Sequence, residues 1–336
     1  MSTSNRQGWP DLLKGVSVLL MIQVHLMELF ARPDIFVSKG GQVSLLLGAP
    51  PAAPVFMVMM GLFLFRTQKP MRALLLRGLG LLTGGLLLNI GLNAHLFVRI
   101  WRGDFELNPW AYVFGVDILL LAGMSVVLIA LLRPIFQRFF PLALLIAFGC
   151  SCATLLIPNS VSAPYPYITA FLWGKTTWSY FPLLPWFSWS LLGYFLGAVF
   201  EKQVPLRIRV LVICSSLFVV FLLFPMGFRI SADLPEYYHH GPLYFFWGSC
   251  FVLVLMGLFS LMDRLPGLTF FRWLGKNVTS AFVFQWLLIG NIATALYRTQ
   301  GWGDLVAWFV GVVGAVSLFV RGWEYVRSKV FAPVSE

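Results

Sequence analysis

Four ionisable side chains stand in the first apolar stretch of this 336-residue sequence: Asp11, Lys14, His25 and Glu28. Each brings chemistry to membrane depth. An imidazole takes or passes a proton near neutral pH, a carboxylate orients an imidazole or holds a proton, and an ammonium fixes an anion. At about 100° per residue, His25 falls roughly 20° around a helix from Lys14, Glu28 roughly −40° and Asp11 roughly +60°. The four share one stripe, with Lys14 near the inner surface and His25 about 16 Å further out. Charge in lipid is costly, so the stripe is expected to face protein or a cavity. Plainer roles stand beside that one. Asp11 and Lys14 could be interfacial anchors, Glu28 a solvated carboxylate, and His25 a hydrogen-bonded packing residue.

The element that must position this stripe is a transmembrane helix. Apolar residues make up 59% of the chain and charged residues 11%, against about half and a quarter in soluble domains. A water-soluble enzyme, a disordered chain and a disulfide-stapled secreted domain are excluded. The apolar residues come in unbroken runs, which argues against a β-barrel. We read an all-α, polytopic membrane bundle of about ten helices in a single domain, residues 1–336. The spans are 10–30, 43–65, 73–93, 112–132, 140–157, 181–200, 206–225, 242–262, 278–297 and 303–323. The four cysteines (Cys150, Cys152, Cys214, Cys250) match no zinc or disulfide spacing and read as buried packing residues. The first run carries charges and lacks a small-residue cleavage site, so no cleavable signal peptide is expected.

The net charge of +11 suits cytoplasmic loops facing anionic lipid, with no nucleic-acid partner. With the N-terminus inside, 17 of the 24 Lys and Arg residues fall on inner segments and 7 on outer ones, which places both termini in the cytoplasm. All four histidines, His25, His95, His239 and His240, then lie in the outer half or outer loops, together with several carboxylates.

Other constellations belong to the same layers. Pro50, Pro51 and Pro54 break the second run near the depth of His25, and such a break leaves carbonyls without intrahelical partners. It either lines a substrate cavity or marks a helix start. Asn89, Asn93 and Asp117 sit at outer helix ends, where Asp117 could orient His25, accept a proton or cap the fourth span. Trp186 could wall a cavity. Gly80 and Gly84 form a small-xxx-small pair expected to pack closely on a neighbouring helix. On the inner face, Arg66, Arg72, Arg77 and Lys276 are topology signals or cations for an anionic donor. No metal-ligand cluster or Gly-rich nucleotide loop is evident.

The stretch from Asp11 to His25, with ten residues between Lys14 and His25, resembles the opening helix of the transmembrane acyltransferase superfamily, where an Arg-Gly pair precedes a membrane His at that spacing. Ala53–Gly61 and Arg77–Asn89 resemble the second and third helices of its heparan-α-glucosaminide N-acetyltransferase-like branch, which is related to the acyltransferase 3 family. So do Val116–Leu119, Pro182–Trp186 with Gly193-Tyr194, and Leu274–Asn277. Lys14 stands where the family has Arg, keeping charge but losing bidentate geometry. Gln285 stands where many relatives have His.

The resemblance implies an acetyl donor and a sugar acceptor. The preferred function is therefore an acyl-CoA-dependent membrane acyltransferase, acting on an amine or hydroxyl of a sugar or glycan at the outer face of a bacterial plasma membrane. His25 would be general base or nucleophile, with Asp117 and Glu28 as catalytic neighbours. Lys14, Arg72, Arg77 and Lys276 would bind acyl-CoA, and Asn89, Asn93, Trp186 and Gln285 would line the substrate cavity. Membrane lipids are the expected surroundings and a homodimer the oligomer allowed. No metal is expected. A secondary transporter and a non-catalytic scaffold are the alternatives.

Overall fold

The computed structural model describes residues 8–157, 165–202 and 204–330. Arg6 and both chain ends lie outside these residues. Every expected span meets a helix. We label them α1 (Trp9–Phe30), α2 (Lys39–Gly48), α3 (Ala53–Arg66), α4 (Met71–Leu92), α5 (Ile118–Arg138), α6 (Pro141–Ala153), α7 (Leu183–Glu201), α8 (Leu206–Leu222), α9 (Pro242–Met262), α10 (Thr269–Lys276), α11 (Val278–Leu296) and α12 (Trp302–Val330). Among the described residues, eight spans are long and apolar enough to cross a membrane, α2 and α3 together forming one of them. A ninth is α8 with Phe224–Ser231, bent by 69° at Leu223. The remaining expected span, 140–157, is the shorter apolar stretch Pro141–Leu156. Strand structure among the described residues is limited to two isolated bridges, Ala31 with Gln300 and Val116 with Ser179. The architecture is an all-α membrane bundle.

α1 is the hub. Its inner half crosses α10, its outer half packs on α2 and α11, and α9 and α12 complete the ring. A second group, α3, α6 and α7, packs beside it, while α4 pairs with α5 and α11. Glycines permit the two tightest crossings. A methyl group on Gly15 would overlap the Phe271 carbonyl, and one on Gly275 the Asp11 carbonyl. Gly61 and Gly193 stand in the same relation to the Ser190 and Val58 carbonyls across α3 and α7. The expected pair Gly80 and Gly84 faces no neighbour within 4 Å, because α4 turns Gly78 and Gly85 towards α5 instead.

Two expectations change in detail. The fourth span starts at Ile118 rather than near 112, because a short separate helix, Pro109–Val113, ends at Phe114 and the chain is non-helical up to Asp117. Val116 donates its N–H to Trp178 (2.8 Å) and accepts from Phe181 (2.9 Å). The second span is helical on both sides of a four-residue break at 49–52, so the prolines interrupt a span rather than start one. The freed carbonyls find side chains. The Ser17 hydroxyl donates to Pro51 (2.5 Å) and the Tyr237 hydroxyl to Ala49 (3.3 Å). Of the cysteines, only Cys250 is buried, while Cys152 and Cys214 are exposed on their helices.

Candidate active site

The polar stripe of α1 is packed among other helices, with Asp11 buried and Lys14, His25 and Glu28 half-buried. Asp11 is 2% exposed and pairs with Lys14 at 2.9 Å. The Lys14 ammonium lies 5.1 Å from the centre of the Phe63 ring. The inner end is thus a buried ion pair, not an interfacial anchor at the lipid surface. Further out, the His25 ring rests on Trp286 of α11, with centroids 4.0 Å apart. Its Nδ1 atom is buried and makes no hydrogen bond within the described residues.

Gln285, beside Trp286, is fully buried, and neither its Oε1 nor its Nε2 bonds to any described residue. Ala281 and Ile289, one turn to either side, join Val18, Ile22, Leu26 and Phe30 of α1 in one apolar cluster. Gln285 consequently sits on the face of α11 that meets α1. A buried amide without partners costs about 1–3 kcal/mol.

One turn beyond His25, the Glu28 carboxyl lies within hydrogen-bonding reach of the Tyr238 hydroxyl. Tyr180 and Tyr237 are also close enough to feel its charge. A stack built on α7 holds Tyr237 and Tyr238. Trp186 donates its Nε1–H to the Tyr238 carbonyl at 2.8 Å. The His240 ring lies between the Tyr237 carbonyl (2.8 Å from Nδ1) and the Trp189 indole N–H (3.1 Å from Nε2). A carbonyl accepts only, so His240 carries its proton on Nδ1 and is neutral. Burial agrees, pushing His240 down to about 3, and burial with Lys175 nearby pushes His239 down to about 4. Burial drives the Tyr238 phenol well above its ordinary value and Tyr180 up to about 12, so both remain donors.

Asp117 caps α5. Its Oδ1 accepts from Leu119 and Leu120, each at 3.0 Å, while its Oδ2 is buried and makes no hydrogen bond among the described residues. Asn89 donates to the Val113 (3.0 Å) and Gly115 (2.7 Å) carbonyls, fixing the segment that leads to Asp117. Asn93 donates to the Asn89 carbonyl at 2.9 Å. The amide groups of both asparagines hold backbone, and Trp186 supports a loop while it walls the aromatic stack.

At the N-terminal end of α1, the α1–α10 crossing brings Lys276 to the level of Lys14, one residue beyond Gly275. Arg72 and Arg77 are exposed on α4, whose partners are α5 and α11. The broken span borders an apolar cleft of about 150 Å³, lined among others by Leu20, Leu47, Pro51 and Phe251. The sequence reading missed Trp286, Tyr180 and Tyr238. The adjacent Tyr237 and Tyr238 before two histidines were the available signal, but nothing local ties them to α1. No group of three potential metal ligands stands together among the described residues.

Comparison with curated proteins finds no match. The model of the acyltransferase domain of the acyltransferase 3 family matches residues 7–320, from the start of the polar helix to the end of the α12 core. Together with an imidazole held in a helical membrane bundle, that match identifies the chain as a member of the acyltransferase 3 family, a membrane acyltransferase.

Proposed function

We propose that this acyltransferase moves an acyl group, acetyl in the first instance, from cytosolic acyl-CoA to a hydroxyl or amine of a sugar or glycan at the outer face. The observation that carries the reading is the unbonded His25 Nδ1 in the α1–α11 seam, where the unbonded amide of Gln285 stands on the α11 face towards α1. As general base, His25 takes the proton of the acceptor O–H or N–H while its heteroatom attacks the thioester carbonyl. The C–S bond then breaks, and the imidazolium returns the proton to the leaving thiolate. As nucleophile, it instead carries the acyl group between the two steps. Gln285 Nε2 is a donor for the carbonyl oxygen in either route, Glu28, one turn along α1, is the carboxyl proposed to steady the imidazolium, and Asp117 keeps one unbonded oxygen at the cap of α5.

The cofactor-like end of the donor is anionic. Lys276 and Lys14 at one crossing, with Arg77 and Arg72 on α4, are the cations proposed to hold its phosphates, Lys14 sharing its charge with Asp11. The setting proposed is a bacterial inner membrane with both termini cytoplasmic, in the heparan-α-glucosaminide N-acetyltransferase-like branch. A secondary transporter is the second reading, favoured by the broken span at 49–52.

Incubation of the purified protein with radiolabelled acetyl-CoA tests this directly. Label is expected on added amino sugars or on the protein. Replacing Lys276 or Arg77 by Gln is expected to weaken CoA binding roughly 10- to 150-fold, with Lys69→Gln as the silent control. Solute uptake without transfer, or no CoA binding by the wild type, would move the assignment to the transporter.

A further inference from the structure

The outer mouth above His25 has a composition that the acyl-transfer step does not require. Four tyrosines from four separate segments converge there: Tyr112 before α5, Tyr180 before α7, Tyr238 before α9 and Tyr297 after α11. Tyr112 and Tyr297 both lie close enough to Tyr180 to interact electrostatically with it, and Tyr180 in turn with Glu28. The Tyr180 and Tyr238 rings meet edge to face at 5.4 Å. Tyr180 is 41% exposed and Tyr297 54% exposed, so the cluster opens outwards while Glu28 forms its floor.

The floor has spare acceptor capacity. A carboxyl group has acceptor sites on both oxygens, and the Tyr238 hydroxyl addresses one of them. The rim is not suited to a cation, because Arg298 already covers the Tyr297 ring at 5.2 Å and Lys175 stands near His239. What remains is a neutral molecule with several hydroxyl donors and a flat apolar face for a tyrosine ring. Three residues along α1, about 4.5 Å, separate Glu28 from His25. A ring bound at Glu28 therefore presents its far side at the depth of the imidazole.

We propose that Glu28, with Tyr180, Tyr238 and Tyr297, forms a saccharide subsite: the carboxyl accepts two ring hydroxyls, a tyrosine face covers the ring, and the next hydroxyl points at His25. This rests on the acyltransferase reading for its purpose but not for its detection, since binding needs no donor.

The experiment uses the full chain in lipid nanodiscs, free of sugar-headed detergent, with methyl glucoside, N-acetylglucosamine and glucosamine as probes in saturation-transfer NMR. At least one neutral sugar is expected to receive saturation on its ring protons. Glu28→Gln keeps shape and replaces one carboxyl oxygen by an amide NH2 that cannot accept, and is expected to weaken that binding roughly tenfold or more. Tyr180→Ala is expected to do the same through loss of stacking. CoA binding, measured in parallel, is expected to stay within about twofold and reports that each variant is folded. Sugar affinity unchanged in both variants, no binding of any probe to the wild type, or preference for glucosamine over its neutral analogues would overturn the subsite. Sugar binding without CoA binding would sink the donor assignment and leave the subsite standing.

Discussion

His25 differs from His240 in its hydrogen bonding. His240 is buried with both nitrogens engaged, by a carbonyl and an indole, while His25 is half-buried and its Nδ1 is unbonded among the described residues. A ring locked at both ends is a strut, and one with an unspent nitrogen has a proton site to offer. His25→Ala is accordingly expected to cost about 10²–10⁴ in acyl-transfer rate, the range of a positioned general base, with the protein still folded in the membrane. Transfer to an amino sugar by matched amounts of both proteins checks this, and a variant retaining more than about a tenth of the rate rules the role out. The residue was legible because helical spacing put it on one face with three other ionisable groups. Asp117 was legible as a cap or a catalytic acid, and the structure gives one oxygen to the cap. Tyr238 was not legible, because its relation to Glu28 depends on two indoles of α7 that fold it inwards from more than 200 residues away.

At the scale of the elements, small residues set the distances and a hydroxyl repairs the break. Gly15→Ala places a methyl on a carbonyl of α10 and is expected to destabilise the protein by about 1–3 kcal/mol or more, since the crossing cannot open without moving both helices. Gly80→Ala meets nothing within 4 Å and is expected to be neutral, or to gain up to about 1 kcal/mol from helix propensity. Thermal unfolding of the two variants in one detergent separates them, and equal midpoints would refute the crossing. The Gly80–Gly84 spacing looked like a packing face in the sequence, but spacing gives a face without saying which neighbour it meets. Span positions were readable from apolar runs. The start of α5 was not, because the pairing of Val116 with residues 178 and 181 is a long-range bond.

For the molecule as a whole, the prediction is orientation. If both termini are cytoplasmic, the loop between α3 and α4 faces inwards and the segment between α11 and α12 outwards. Cysteine substituted at Lys69 is expected to resist a membrane-impermeant thiol reagent in intact cells, and cysteine at Thr299 to react, in a background with Cys152 and Cys214 removed. The reverse pattern would invert the protein and place the acceptor on the cytosolic side. The basic bias of 17 against 7 is a sequence argument for orientation that needs no fold, and the labelling tests it. Bundle order was not readable, since nothing in the apolar runs says that α1 lies at the centre.

That central place has a consequence for synthesis. Gly15 and its partner Gly275 are 260 residues apart, which is roughly 10–50 s of translation at about 5–20 residues per second. α1 therefore enters the membrane long before the helix that covers it. During the wait, a lone Lys or Asp would draw the helix back towards water. The Asp11–Lys14 pair spans one turn and needs no other helix, so it cancels both charges from the start. Ser17 is provided for in the same local way, donating to Leu13 at 2.9 Å before Pro51 exists. The first helix carries its own provision for the interval in which it has no neighbours.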